Sequence, residues 1–216
     1  MPQLFPPRAN NVARGSLAVL VVLVALGGLA LDRIQRSPFV TREGVVYEQP
    51  VPFSHDHHVA AMGINCRYCH TSVETSSFAG LPSTSTCMNC HKLVWNDSPM
   101  LEPVRESYRT GEPLAWNRIH DLPDFVYFDH SIHVAKGIGC ESCHGRVDRM
   151  PLMFQAASLQ MEWCLACHRN PELHVRPREE VYTMGWKPPA DQPDLRARLV
   201  EEYDIQTLES CSVCHR

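Results

Sequence analysis

All ten cysteines occur in five pairs with two residues between the members, and a histidine directly follows every pair. The pattern Cys-x-x-Cys-His is the attachment motif of a c-type haem. Thiols at this spacing form thioethers with the two vinyl groups of one porphyrin, and the adjacent imidazole is a common proximal iron ligand. The sequence therefore predicts five covalently bound haems c, with these thiols and proximal ligands: Cys66, Cys69 and His70; Cys87, Cys90 and His91; Cys140, Cys143 and His144; Cys164, Cys167 and His168; Cys211, Cys214 and His215.

Two other uses of paired cysteines fit the pattern less well. Zinc sites combine cysteine pairs into closed four-ligand clusters, which gives no reason for a histidine after every pair. A disulfide scaffold gives no such reason either, and no cysteine is left over in this chain. The regular histidine favours haem.

Part of the chain is repeated, and the repeat carries further histidines. The pattern Phe-x-His-x-x-His-Val-Ala begins at Phe53 and again at Phe128, and each copy continues through a Gly-Ile pair into two attachment motifs. Two histidines three positions apart share one helical turn, so their rings can face different irons. We expect the first histidine of each copy to be the distal ligand of the haem that follows it, and the second to reach a neighbouring haem: His55 and His130 first, His58 and His133 second.

The fifth distal position has two candidates. We expect His120 to occupy it, and Met161, three residues before a motif cysteine, is the thioether alternative. A Met ligand raises the potential of its haem relative to haems with two His ligands. His57 has Ile132 as its counterpart in the second copy, so we expect it beside a ligand or at the surface, and His174 is expected to be an ordinary histidine.

An uncharged apolar segment of 17 residues, Gly15 to Leu31, lies near the amino terminus. At about 1.5 Å per residue it reaches roughly 25 Å, and the flanking Arg14 and Arg33 can extend to the interfaces of a bilayer core of about 30 Å. We expect an uncleaved transmembrane anchor; a cleaved secretory signal is the alternative, with a small-residue cleavage site at 28–30. Because c-type haems are attached on the periplasmic face, we expect a single-pass protein of the cytoplasmic membrane with residues 1–14 in the cytoplasm.

The rest of the chain divides by composition and repeat. We predict a tether over 32–52, a first haem-pair repeat over 53–91, a linker over 92–127 with at most short helices, a second repeat over 128–168 and a carboxy-terminal segment over 169–216. Leu195, Leu199 and Tyr203 have helical spacing and predict a short amphipathic helix.

The predicted fold is one transmembrane helix plus a multihaem domain of short helices and irregular loops wrapped on haems, with little or no sheet. The reason is that 185 exported residues are too few to cover five haems and also build a large side-chain core. The net charge of −4 disfavours nucleic-acid binding.

Taken together, these motifs resemble the pentahaem cytochrome c subunit of bacterial alternative complex III, with haem-pair units similar to class III, c7-like multihaem cytochromes. The likeness spans essentially the whole chain, and the stretches that carry it are GLPSTSTCMNCHK (80–92), LEPVRESY (101–108), HDLPDFVYFDHSIHVAKGIGC (120–140), CHGRVDRMP (143–151) and MEWCLACHR (161–169). The resemblance implies a membrane complex that oxidises quinol and passes electrons to a periplasmic cytochrome, copper protein or oxidase. It also implies partners: an iron–sulfur/molybdopterin-like subunit, quinol-binding membrane subunits and a monohaem cytochrome c.

Three functions compete at this stage. The expected one is an electron-transfer subunit without substrate chemistry of its own, because the histidines suffice to close every iron site. A multihaem reductase needs an open iron position, often with a changed proximal ligand, whereas all five motifs here end in His. A membrane-anchored quinol dehydrogenase of the tetrahaem type places a haem soon after its anchor, whereas 34 residues separate Leu31 from Cys66 here.

Overall fold

The computed structural model describes residues 5–215, so the first four residues of the predicted cytoplasmic arm and the last residue of the chain lie outside the described part. The chain divides into two units, residues 1–42 and 43–216. The first consists of a long helix, α1 (Ala9–Gln35), and a short one, α2 (Pro38–Thr41). Pro38 disfavours helical backbone at the residue before it, which explains why α1 stops there.

Helix α1 is long and apolar enough to cross a membrane, by length and composition. Its 27 residues have a mean hydropathy of 2.3 in the most apolar window, and at 1.5 Å per residue they reach about 40 Å. The predicted span Gly15–Leu31 lies inside it. A signal sequence near the amino terminus meets the same criterion, so the helix is a candidate anchor.

The second unit is built from short helices joined by irregular loops. It begins with a π-helix over Asp56–Ala61 in the first repeat. The α-helices are α3 (Cys66–Cys69), α4 (Thr84–His91), α5 (Glu102–Thr110), α6 (His130–Ala135), α7 (Glu141–His144), α8 (Met161–Arg169), α9 (Leu195–Glu202) and α10 (Cys211–Cys214). Short 3₁₀ turns cover Pro99–Leu101, Val147–Arg149, Pro171–Leu173 and Arg178–Glu180.

No strand is assigned among residues 5–215. The extended backbone there forms only isolated bridges, such as Val46 with Phe154 and Ile138 with Val175. The predicted fold class, one long apolar helix followed by short helices and loops without a sheet, is confirmed.

The side-chain core of the second unit is small and divided. One cluster joins Val51, Met88, Leu101 and Val104, and thereby packs α5 against the helix that carries the second attachment motif. The other cluster joins Val175 to Leu199 and Tyr203 of the α9 region, where the amphipathic spacing predicts a helix. The first cluster contains Met88 of the second attachment motif, and the second cluster contains Val175, which follows the fourth motif. The apolar contacts therefore hold these motifs in place.

Candidate haem sites

Every attachment motif lies on a helical turn, which brings its three functional side chains to one side. The first cysteine, the second cysteine and the histidine occupy positions i, i+3 and i+4, and these share one helix face. In α3 the amide of His70 donates to the carbonyl oxygen of Cys66 at 2.9 Å, and in α10 that of His215 donates to Cys211 at 2.8 Å. None of the ten cysteines forms a disulfide. No three His, Cys, Asp or Glu side chains within residues 5–215 converge on one point.

The histidines of the repeats lie opposite motif histidines at one recurring separation. The ring centroids are 6.2 Å apart in each of three pairs. The two rings of one pair are nearly parallel, with 7° between their planes. Each pair joins one predicted distal to one predicted proximal ligand: His58 and His91, His130 and His144, His133 and His168.

This separation fits an iron ion held between two imidazoles. A metal–nitrogen bond of about 2 Å on each side, plus about 1.1 Å from each nitrogen to its ring centre, gives about 6.2 Å between centroids. The residues present therefore fit haem iron with two histidine ligands, although the ligand assignment itself stays a prediction.

The fourth predicted pair, His55 and His70, lies in the first repeat. His55 and His70 are close enough that His70 acts electrostatically on His55, second to burial, in lowering the pKa of His55 to about 4. Burial likewise lowers the pKa of His58 and of His133, and it lowers that of His144 to about 3. These imidazoles are neutral near pH 7, and the neutral ring is the form that binds a metal.

Hydrogen bonds fix which ring nitrogen faces outward. Six of the ten predicted histidine ligands place Nδ1 at 2.7–3.2 Å from a backbone carbonyl oxygen. A carbonyl only accepts, so Nδ1 carries the proton and Nε2 keeps the lone pair that a metal needs. The pairs are His58 with Ser54, His70 with Gly80, His91 with Val94, His130 with Ser77, His133 with Asp129 and His215 with Phe125.

The remaining candidates lie in other surroundings. His120 is half-buried, and its Nε2 lies 3.2 Å from Nδ1 of His144. Met161 begins α8 and is 65% exposed. His57 lies parallel to Trp95, with 6.4 Å between ring centroids, and His174 is half-buried, its pKa lowered by burial and then by Arg196.

The two repeats meet through their first motifs. The amide of Asp56, in the first repeat, donates to the carbonyl oxygen of Met150 beyond the third motif at 3.2 Å. The amide of Ser131, at the equivalent position of the second repeat, donates to the carbonyl oxygen of Ser76 beyond the first motif at 3.2 Å. This reciprocity is the contact pattern of a two-fold interface. The sulfur atoms of Cys66 and Cys140 are also close enough to interact, so motifs one and three are neighbours in space.

The fifth motif lies where the linker ends and close to the fourth motif. The amide of Tyr127 donates to the carbonyl oxygen of Cys214 at 2.7 Å, and Val126 forms a bridge with His215. Arg169, directly after the fourth motif, pairs with Glu209 at 2.8 Å. Phe125 is the aromatic side chain beside His215, with 5.8 Å between ring centroids.

Sequence reasoning did not identify the groups that orient the imidazoles. The carbonyl acceptors are backbone atoms, which carry no residue-type signal. The signal that was available is the phenylalanine of the repeat: Phe53 stacks on His58 at 4.4 Å, and Phe128 on His133 at 4.5 Å. Its place in both copies points to a role in holding the histidine.

Comparison with known proteins gives two matches. Residues 126–216, which hold the last three motifs, match the family described as Cytochrome c7 and related cytochrome c. A curated relative from Nitratidesulfovibrio vulgaris (strain Hildenborough), named menaquinone reductase, multiheme cytochrome c subunit, is 37% identical over 122 residues, which are 56% of this chain and 51% of the relative. The chain thus spans about half the length of that relative. Residues 126–216 are thus similar to c7-related cytochromes, and about half of the chain is similar to the menaquinone reductase subunit.

Proposed function

We propose that this chain is a membrane-anchored pentahaem c-type cytochrome that carries electrons for a quinone-linked membrane complex of the alternative complex III type. The observation that carries the proposal is the recurrence of one ring separation, 6.2 Å, in three histidine pairs drawn from both repeats. A separation that fits iron between two imidazoles would not recur among histidines that were merely packed together.

The proposed ligands follow the motifs and the ring pairs. The ten motif cysteines attach five haems, and the five motif histidines are proximal ligands. The distal ligands of four haems are His55, His58, His130 and His133, opposite His70, His91, His144 and His168 in that order.

Bound haem supplies one-electron exchange between ferric and ferrous iron. The chain attaches it through thioethers, and the carbonyls that hold Nδ1 fix the orientation of each ring. Two imidazoles would hold each of these irons, and this would leave no place there for a substrate. This arrangement supports an electron carrier over a multihaem reductase, whose chemistry requires an open position at an iron.

The proposed location follows from the apolar helix and the haem motifs. Helix α1 is the anchor, and residues 32–216 lie on the periplasmic face, where c-type haems are attached. An anchor keeps the haem domain at high effective concentration beside membrane partners. Those partners are proposed to be an iron–sulfur/molybdopterin-like subunit, quinol-binding membrane subunits and a monohaem cytochrome c.

Two directions of electron flow are open to such a complex. In the first, a quinol gives up two electrons and two protons, and the electrons leave one at a time to a periplasmic cytochrome, copper protein or oxidase. The relative from Nitratidesulfovibrio vulgaris is a menaquinone reductase subunit by name, which favours the reverse direction as a second candidate. In that case a periplasmic donor supplies the two electrons and the quinone takes up two protons.

The test replaces residues 1–31 by a cleavable secretion signal. We expect a soluble protein whose mass exceeds that of the polypeptide by five haems, with the visible spectrum of the anchored form, because no proposed ligand lies in the removed segment. The soluble form should neither oxidise added quinol nor reduce added quinone.

Membranes that contain the full chain provide the control. They should support electron transfer between quinol and an external acceptor. The initial rates of quinol oxidation and of quinone reduction, compared at equal driving force, separate the two candidates. A soluble form that reacts with quinol by itself would put the quinone site in this chain and contradict the proposal. Fewer than five haems would contradict the cofactor assignment.

A further inference from the structure

The contact of His144 differs from those of the other motif histidines with a hydrogen-bonded Nδ1. His70, His91 and His215 each direct Nδ1 at a backbone carbonyl oxygen. His144 instead directs Nδ1 at the imidazole of His120, whose Nε2 lies 3.2 Å away. The partner is a side chain, so it can be replaced by mutation.

The position of the proton on His144 fixes the direction of this hydrogen bond. If His144 binds iron through Nε2, as His70, His91 and His215 are oriented to do, its Nδ1 carries the proton and donates. Nε2 of His120 must then be the acceptor, and the proton of His120 lies on its Nδ1. In this arrangement the lone pair of His120 Nε2 is already engaged.

The separation of the two rings excludes an iron between them. Their centroids are 4.3 Å apart with 73° between the ring planes, about 2 Å less than two metal–nitrogen bonds require. His130 lies 6.2 Å from His144 with its ring almost parallel. His144 therefore has one neighbour at iron-holding distance, His130, and another at hydrogen-bonding distance, His120.

We propose that His120 is a positioning residue for His144: its Nε2 accepts the Nδ1 proton, orients the proximal ring and increases the basicity of the ligand. This inference rests on the proposed function, since it requires that His144 binds haem iron. It gives His120 a role different from the fifth distal ligand that the sequence predicts. Groups that hydrogen-bond a metal-bound histidine set its tautomer and electron density.

The test compares His120→Ala with His120→Gln in the full-length, haem-loaded protein. Alanine removes the acceptor, whereas Oε1 of glutamine can accept from His144 Nδ1 but is not expected to replace an imidazole as an iron ligand. We expect five haems by mass and the wild-type number of low-spin signals by electron paramagnetic resonance in both variants. In His120→Ala one midpoint potential should become more positive, because the ligand loses electron density, and in His120→Gln it should return towards the wild-type value.

His174→Ala is the matched control, since it removes another half-buried histidine that no motif contains. It should leave all five potentials unchanged. Conversion of one haem to high spin in both His120 variants would identify His120 as an iron ligand and overturn the inference. Unchanged potentials in His120→Ala would overturn it too. Either result with five haems present leaves the proposed function intact, whereas a smaller haem count would contradict that function itself.

Discussion

The two haem-pair repeats use the same phenylalanine to hold two histidines. In the first repeat Phe53 lies face to face with His58 and edge-on to His55, with ring planes at 25° and 86°. In the second repeat Phe128 makes the same two contacts with its histidines, at 29° and 89°. The centroid distances agree within 0.1 Å between the repeats, at 4.4 and 4.5 Å for the stacked pair and 4.9 and 4.8 Å for the edge contact.

The backbone beneath these side chains differs. The first repeat has two residues between its Val-Ala and Gly-Ile pairs, whereas the second has one. The extra residue is accommodated by the π-helix Asp56–Ala61, while the second repeat forms the α-helix His130–Ala135. A single inserted residue is the usual origin of a π-helical turn.

The closing hydrogen bonds show the same one-residue difference. In the second repeat the amide of Ile138 donates to His133, five residues earlier, and Gly137 at φ +72° ends the helix, as in a Schellman motif. In the first repeat Ile64 donates to His58, six residues earlier. The two repeats therefore keep the positions of the phenylalanine and the histidines while the helix type changes.

The largest expected effect comes from removing one attachment motif in either repeat. Cys66→Ser with Cys69→Ser, or Cys140→Ser with Cys143→Ser, deletes both thioethers of one site. Each double variant should carry four haems by intact mass. Because motifs one and three meet at the junction of the repeats, both variants should also lower the thermal stability of the remaining domain. Removal of Cys211 and Cys214, outside the repeats, is the control, and an equal loss of stability there would contradict a special role for the junction.

The next effect tests whether the first histidine of each repeat does the same job. His55→Ala and His130→Ala should each convert one low-spin haem to high spin without detaching it, because the thioethers remain. Electron paramagnetic resonance counts the low-spin centres, and mass spectrometry confirms five haems. His57→Ala, which removes the histidine stacked beside Trp95, should leave the count unchanged. Unchanged spectra in both ligand variants would remove the proposed pairing with His70 and His144.

Local sequence patterns predicted the elements that depend on neighbouring residues. The apolar run, the helix around Leu199 and the absence of a sheet within the described residues follow from composition and periodicity. Helix α5 forms inside the proline-rich linker because Pro103 lies in its first turn, where a missing N–H costs no helical hydrogen bond, and Gly111 at φ +79° ends it. Proline there begins a helix instead of breaking one.

Contacts between distant backbone atoms could not be predicted in this way. The extra residue of the first repeat is visible in the sequence, but its consequence, a π-helical turn, depends on keeping Phe53 and both histidines in place. The reciprocal bonds of Asp56 and Ser131 across the repeats involve amide and carbonyl groups that nearly every residue has. The iron ligands were predicted from spacing, and that prediction awaits the histidine variants above.

A smaller effect separates the glycines that end the two repeat helices. Gly63 and Gly137 both have positive φ, at +66° and +72°. A Cβ on Gly63 would meet nothing within 4 Å, whereas one on Gly137 would collide with the carbonyl oxygen of Arg176 and lie 2.9 Å from the ring of Tyr203. Gly63→Ala should therefore cost about 1 kcal/mol for the left-handed backbone, and Gly137→Ala about 2–4 kcal/mol, because overpacking adds to the same strain. Thermal midpoints of the two haem-loaded variants at one scan rate give the order, and equal shifts would show that the contact with Arg176 relaxes freely.

The smallest expected effect concerns the first histidines themselves. Nδ1 of His130 donates to the carbonyl oxygen of Ser77 at 2.8 Å, whereas Nδ1 of His55 is buried without a hydrogen-bond partner. A donated bond makes an imidazole a more basic ligand, and a more basic ligand favours ferric iron. The haem opposite His130 should therefore have a lower potential than the haem opposite His55.

The His→Ala variants identify which low-spin signal belongs to which haem. A redox titration of the wild-type protein, followed by electron paramagnetic resonance, then gives the order of the two potentials. Because His120 acts on the same haem through His144, the titration is repeated in His120→Gln, which keeps an acceptor there. The reverse order in both proteins would mean that the contact with Ser77 does not set the difference between the repeats.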